Sequence, residues 1–334
     1  MATIYDVARR AGVSITTVSR VLNGGNVRAK TREAVERAIA ELNYVPNAAA
    51  RTLPSGVSRI VAVVVPDISN PFYSELVRGV QDVCDRASYG VMIWSTDGRA
   101  AKEASCLLEL SKQRVDGVLM VRYLADQSVF RLFKSLEIPL VVVGRAPDEP
   151  AADSVGTFGT GKALRALIAP LVAGGRRRLA HLAGPEEAVV GMIRRQQYDA
   201  ILRHFGLEAR PEWVADGGFT REGGRKAARK LLAAADRPDM VFAANDMMAI
   251  GLIEAAEELG VRIPGDVAVV GCDDIYVAGL LRPALSSVRM PKYELGQRGA
   301  ELLLERIANP SVPTRHVELE VTPVARESTM IREE

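Results

Sequence analysis

Residues 13–22 read VSITTVSRVL. Placed on a helix, the stretch divides into two faces. Thr16, Ser19, Arg20 and Asn23 fall at i, i+3, i+4 and i+7, while Val18, Val21 and Leu22 fall on the other side. The open face of a helix usually carries Lys and Glu. This one carries hydroxyls, an amide and a guanidinium, the groups that answer the donors, acceptors and thymine methyls of a DNA major groove.

The flanks extend the pattern. IYDVARRA (4–11) is a short helical stretch with Ile4, Val7, Ala8 and Ala11 on one face; Gly12 breaks it, and Ser14 is a good N-cap for the next helix. Asn23-Gly24-Gly25-Asn26 has strong turn chemistry. A third helix is expected from near Thr31, with Ala34, Val35, Ala38, Ile39 and Leu42 as its apolar stripe. This is the helix-turn-helix plan, in which the small Ala8 and Gly12 are expected to let the helices approach closely. Asn47 then caps a short segment, NAAARTL, that Pro54 stops. It is too short to be stably helical alone, which takes ~12–15 residues. Its plainer reading is a linker helix packed on the remainder of the protein.

Charge separates the same region from the rest. Residues 1–59 hold nine Arg/Lys against four Asp/Glu, and the remainder holds 34 against 37. A small basic module before a large, slightly acidic body is the electrostatic footprint of nucleic-acid binding, although a solvated basic face would look similar. The chain of 334 residues is long enough for two or three domains. With 48% hydrophobic and 25% charged residues it is globular rather than disordered. No apolar run reaches bilayer length, and MATIYDVARRAGVS has no secretory h-region, so a cytoplasmic protein is expected. Cys84, Cys106 and Cys272 are scattered and odd in number, and His181, His204 and His316 lie far apart. Neither set suggests a disulfide framework, a metal site or a histidine-based nucleophile.

From Arg59 the pattern changes. Continuous apolar runs at 60–67, 89–97, 116–121 and 138–144 alternate with amphipathic stretches at 74–87, 100–114 and 126–136. Further runs at 179–183, 239–244 and 266–271 alternate with helical stretches at 190–205, 221–235 and 247–259. Such runs fit strands of parallel sheets covered on both faces. Two successive units imply two lobes, with a ligand in the cleft at the carboxyl ends of the strands.

Several stretches carry a family resemblance. They are TIYDVARRAGVSITTVSRVLN and VRAKTREAVERAIAELNYVPNAAARTL at the start, then VVPDISNPFYSELVRGV, RVDGVL, MVFAANDMMAIG, RIPGDVAVVGCDDI, YELGQRGAELLLERI and RESTM. Over essentially its whole length the chain resembles the LacI family of bacterial transcription regulators. The resemblance implies a small all-α helix-turn-helix head (1–46), a hinge helix and linker (47–58), and a two-lobed α/β body (59–331) like a type I periplasmic binding protein, with parallel sheets. The chain would cross between lobes three times, near 158–161, 288–291 and 321–323. One lobe would span about 60–158 and 291–321, the other about 161–288 and 323–331.

The same resemblance implies roles. Ile15, Thr16 and Arg20 would read base edges, with Arg20 able to grip a guanine and Ile15 to meet a thymine methyl. Thr3, Tyr5, Ser14, Thr17, Ser19, Asn23, Arg28 and Thr31 would hold the DNA backbone. Asn47, Ala50, Arg51 and Leu53 would form the minor-groove hinge, with Leu53 as the wedge; Pro54 beside it departs from the commoner basic or polar residue. Phe72, Tyr73, Arg145, Arg194, Phe219, Asn245 and Asp273 would bind the effector. Asn245 as a helix cap and Asp273 as a turn residue are the plainer readings of those two. Thr157-Phe158-Gly159, Arg195 with Gln196-Gln197, and Gly144 depart from the family pattern. Arg194, Arg195 and Arg145 together suggest an anionic sugar derivative.

The implied protein is not an enzyme and needs no cofactor. Its partners would be palindromic operator DNA, a sugar-like effector and a second copy of itself as a homodimer, with no membrane, and its location the cytoplasm at the nucleoid. A repressor of a carbohydrate-related operon is the leading expectation; an activator or a co-repressor-dependent regulator is the alternative. GTFGTGKA (156–163) fits seven positions of the P-loop pattern but fails at Ala163, which has no hydroxyl for magnesium. A transport-type sugar-binding protein would share the body but not the head. Arg176-Arg177-Arg178 reads as a solvated turn, and 293–308 as a core and dimer-facing helix.

Overall fold

The computed structural model describes residues 2–22, 24–44, 57–123, 131, 133, 135–144 and 152–330. The chain forms two compact units, Met1–Ser58 and Arg59–Glu334.

The first unit has three helices, α1 (Ile4–Ala11), α2 (Ile15–Leu22) and α3 (Ala29–Glu41). Its core is small: Val7, Ala8, Val18, Val21, Val35 and Ala38 are buried, with Ile4, Ala11, Leu22, Ile39 and Leu42 packed around them. Thr3 caps α1 in a reciprocal box with Asp6, which satisfies otherwise orphaned amides. Arg10 pairs with Glu41 at 2.6 Å and links α1 to α3. The third helix begins at Ala29, two residues before the sequence suggests. Gly12 does not serve close packing as expected. A Cβ there would meet nothing within 4 Å. Gly12 instead ends α1 at φ 67°, a left-handed conformation that glycine adopts without steric cost.

The second unit contains two six-stranded sheets. One is built from β1 (Ile60–Val65), β2 (Gly90–Ser95), β3 (Gly117–Val121), β4 (Leu140–Val143), β5 (Asp153–Phe158) and β11 (His316–Glu320), in the order β11-β5-β4-β3-β1-β2. All of its pairings are parallel. The other contains β6 (Leu179–Ala183), β7 (Val214–Asp216), β8 (Met240–Ala243), β9 (Ala268–Asp273), β10 (Ser286–Arg289) and β12 (Thr322–Val324), in the order β12-β10-β9-β8-β6-β7. Among the described residues, only the β10–β12 pairing is antiparallel.

Both sheets are covered on both faces, which explains the unbroken apolar runs. In β1, Val61, Val63 and Val65 join one core, while Ala62 and Val64 join another with Cys106, Leu107 and Leu110 of α5 (Ala100–Lys112). In β8, Val241 and Ala243 face a cluster that includes α8 (Arg221–Ala233) and α9 (Asp246–Glu258), and Met240 and Phe242 face the opposite one. Helices α4 (Pro71–Arg86) and α10 (Lys292–Ala308) pack together on the first sheet. Their backbones approach through glycine: a Cβ on Gly296 would lie 2.0 Å from the Leu76 carbonyl oxygen.

The chain passes between the sheets three times. β5 leads into α6 (Thr160–Ala173), β10 leads into α10, and β11 runs into β12. The P-loop-like stretch forms the first of these passages, with Lys162 exposed and 3.9 Å from Glu320. Arg176 corrects the reading of its triplet as a solvated turn. It is buried, and its guanidinium donates to the carbonyls of Asp239, Pro264, Gly265 and Asp266, gathering backbone acceptors near the amino ends of β8 and β9. Among the described residues no helix is long and apolar enough to cross a membrane.

Candidate functional site

In the first unit, folding separates the two faces of α2 as the spacing predicts. Val18 and Val21 are buried, Thr16 and Arg20 are exposed, and Ile15 stands at 39% exposure next to them. Thr3, Tyr5, Ser14 and Arg28 are exposed, and Thr17, Ser19 and Thr31 are half-buried. Two of these hydroxyls also have structural roles. Thr3 caps α1, and Ser14 accepts the Thr17 N–H at 3.2 Å and lies 2.9 Å from its hydroxyl. Arg9 and Arg10 have carboxylate partners, and Arg32 donates to the Gly25 carbonyl. Arg20, Arg28, Lys30 and Arg37 form no ion pair with a described residue. A basic set not neutralised within its own unit is suited to phosphate contact. Asn23, the hinge residues Asn47, Ala50, Arg51 and Leu53, and Arg145 lie outside the described residues.

In the second unit, a cavity of about 400 Å³ opens at the carboxyl ends of the strands. Phe72, Tyr73, Arg194, Phe219, Asn245 and Asp273 all line it. They come from separate segments. Phe72 and Tyr73 begin α4, where Asn70 accepts the Phe72 N–H at 3.0 Å and Pro71 presets the first turn. Their rings meet edge to face at 5.1 Å. Arg194 projects from α7 (Val189–Phe205), and Asp273 ends β9. Asn245 caps α9, its Oδ1 accepting the Met248 N–H at 2.9 Å. Its Nδ2 donates to the Phe219 carbonyl at 2.9 Å, so the capping residue also fixes the loop that carries Phe219. Capping and lining the cavity are therefore compatible here.

The polar centre of the cavity is a buried pair. Arg194 Nη2 lies 3.7 Å from Asp273 Oδ1, with both side chains largely buried. Burial pushes the Asp273 carboxyl up to about 7, outweighing the opposing pull of Arg194 and Lys292. Arg194 Nε is buried without a hydrogen-bond partner. Leaving such a donor unmet costs ~1–3 kcal/mol, which a ligand acceptor would recover. Burial, with Asp273 nearby, raises Tyr73 far above the ordinary phenol value, so its hydroxyl remains a donor.

Arg195 does not join this set. Its Nε is 3.2 Å from Asp199 on its own helix, its guanidinium stands over the Tyr198 ring, and it does not line the cavity. The charged groups that do line it are Arg122 and Arg194 against Asp67, Asp97 and Asp273, so the described cavity has no cationic excess. Gly144 contributes no side chain there. Sequence reasoning missed Tyr123. Its ring meets Phe219 at 6.3 Å, and its carbonyl accepts the Val189 N–H at 2.8 Å, so this single residue, two positions past β3, touches two elements attached to the second sheet. The signal was present: Tyr123 comes just after the run DGVLMV, at the carboxyl end of a parallel strand, where ligands gather.

A three-helix unit with an open polar face and a two-sheet unit around a ligand-sized cavity define a ligand-controlled DNA-binding regulator. Comparison with known proteins agrees. Residues 3–47 match the bacterial regulatory proteins of the lacI family, and residues 168–329 match the periplasmic binding protein-like domain. The chain is 33% identical over 330 residues to the HTH-type transcriptional repressor PurR of Photobacterium profundum, covering 98% of each. It is 36% identical over 336 residues to the ribose operon repressor of Haemophilus influenzae, again covering 98% of each. The structure of the Lac repressor dimer bound to operator and the anti-inducer ONPF superposes with a TM-score of 0.85 at 30% identity, covering 99% of both chains. The chain belongs to the LacI family of bacterial regulatory proteins. It is a transcription regulator, not an enzyme.

Proposed function

We propose that the protein is a cytoplasmic, homodimeric repressor that binds a palindromic operator and changes its DNA affinity when a sugar or sugar derivative enters the cavity. Ile15, Thr16 and Arg20 read bases, and the surrounding Thr, Ser, Tyr and Arg side chains hold phosphates. Asn47, Ala50, Arg51 and Leu53 serve the minor groove between the two heads. The effector lies against Phe72, Tyr73 and Phe219 and exchanges hydrogen bonds with Arg194, Asn245 and Asp273. The Lac repressor dimer on its operator and the ribose operon repressor support this reading as relatives.

One observation carries the proposal. Six side chains from positions 72 to 273 converge on one cavity, and they combine aromatic faces with a paired donor and acceptor. Ring faces and paired donors and acceptors suit the apolar face and vicinal hydroxyls of a pyranose or furanose. With Arg195 turned away, the described lining favours a neutral sugar over a sugar acid. Thermal melting with a panel of neutral sugars, sugar acids and sugar phosphates tests this. A neutral sugar is expected to raise the melting temperature of the unmodified protein and not that of Asp273→Ala. Stabilisation by acids or phosphates alone would overturn the neutral-sugar reading.

A further inference from the structure

Lys292 is the one buried lysine among the described residues, with 3% of its surface exposed. Its position is unfavourable twice over. It is the first residue of α10, where the helix dipole disfavours a cation, and burial removes the water that would solvate its ammonium. Tertiary contacts must hold it there. Its Nζ donates to the carbonyls of Asp273 at 3.0 Å, Asp274 at 2.9 Å and Met290 at 3.4 Å, which uses all three ammonium protons. Glu75, on the second turn of α4, brings a carboxylate to 3.6 Å.

The two carbonyls beyond its own segment belong to a strained turn. Asp273 has φ 114° and Asp274 φ 49°, consecutive left-handed positions without glycine. Such conformations persist only where the surroundings over-determine them. Met290 N–H reaches the Asp273 carbonyl at 3.3 Å, Ser287 receives the Asp274 N–H at 3.0 Å, and Lys292 binds both carbonyls at once. The turn carries the Asp273 carboxylate into the cavity opposite Arg194. Glu75 belongs to the helix whose first turn carries Phe72 and Tyr73 into the same cavity.

The geometry points to Lys292 as a positioning residue: it holds the Asp273–Asp274 turn of the second sheet in its left-handed form and ties it, through Glu75, to the helix that presents Phe72 and Tyr73 from the first sheet. Displacement of either wall of the cavity is then felt at the other through one ammonium group. The inference rests on the effector reading for its purpose, but its test needs no effector.

The test is amide hydrogen–deuterium exchange, read by mass spectrometry, on the full-length protein and two variants. Lys292→Met keeps the chain length and removes the ammonium. Exchange is expected to accelerate tenfold or more in both 273–277 and 73–80, two segments distant in sequence. Glu75→Gln leaves the three carbonyl contacts in place, so acceleration is expected in 73–80 alone. Acceleration confined to 290–296 in Lys292→Met would reduce Lys292 to a local helix-end contact and overturn the proposal. If Lys292→Met does not fold, Glu75→Gln decides, and unchanged exchange in 73–80 would overturn the link to α4. A sugar panel that fails to stabilise the unmodified protein would count against the effector reading and leave this exchange pattern to be judged separately.

Discussion

The two units put their candidate sites together in opposite ways. In the first, the site is a surface: Thr16 and Arg20 stand outside a core of six buried side chains, and their neighbours on the site lie within one or two helical turns. In the second, the site is an interior: Asp273 and Tyr73, 200 positions apart in the chain, line one cavity beside buried charges and strained backbone. A surface site tolerates losing a side chain because water replaces it. An interior site does not, because the abandoned partner stays buried.

That contrast orders the expected effects of substitution. Arg194→Met strands the Asp273 carboxylate and is expected to destabilise the second unit by ~3–5 kcal/mol above pH 7. The loss should shrink towards pH 5, where Asp273 is protonated; urea denaturation at both pH values checks it, and equal losses at the two would break the assignment. Arg20→Ala is expected to weaken the best operator by ~1–3 kcal/mol by removing one guanine contact. Preference should relax at one position per half-site while the melting temperature stays unchanged, as sequence selection and melting curves would show.

The unmodified protein carries a smaller pH signature. The folded value of Asp273, about 7, lies above its ordinary value of 3.8, so its contribution to stability is full below pH 4 and lost as pH rises through 7. Burial raises Asp246 in the same direction. Asp273→Asn is expected to flatten the decline in urea midpoint between pH 5 and 8; an unchanged slope would contradict the shift. Gly12→Ala should cost the head only ~1 kcal/mol, for the left-handed turn alone, because nothing crowds the new methyl. A loss several times larger in the melting of the isolated transition would restore the close-packing role.

The same contrast explains what could be read in advance. The faces of α2 follow from spacing within ten residues. Strands β1, β3, β4, β6, β8 and β9 announce themselves because burial on both faces demands unbroken apolar runs. β10, reading SSVR, hides because Ser286 and Ser287 are buried through hydrogen bonds rather than apolarity: Ser286 accepts the Arg326 N–H, and Ser287 donates to Asp246. β11, reading HVELE, alternates as an edge strand does and offers no run. β12 is three residues with a proline at the antiparallel edge. Within the cavity, family resemblance supplied the aromatic and charged residues. Tyr123, the Lys292 contacts and the outward turn of Arg195 depend on which strand ends the topology brings together, and no local spacing records that.

The most direct measurement is selection of bound sequences from random duplex DNA by the full-length protein, without ligand and with the sugar panel. A palindrome with two half-sites in successive major grooves is expected, with its half-site preference altered by Arg20→Ala. Failure to enrich any sequence under either condition, or enrichment of a site indifferent to Arg20, would contradict the account of the first unit as a DNA reader.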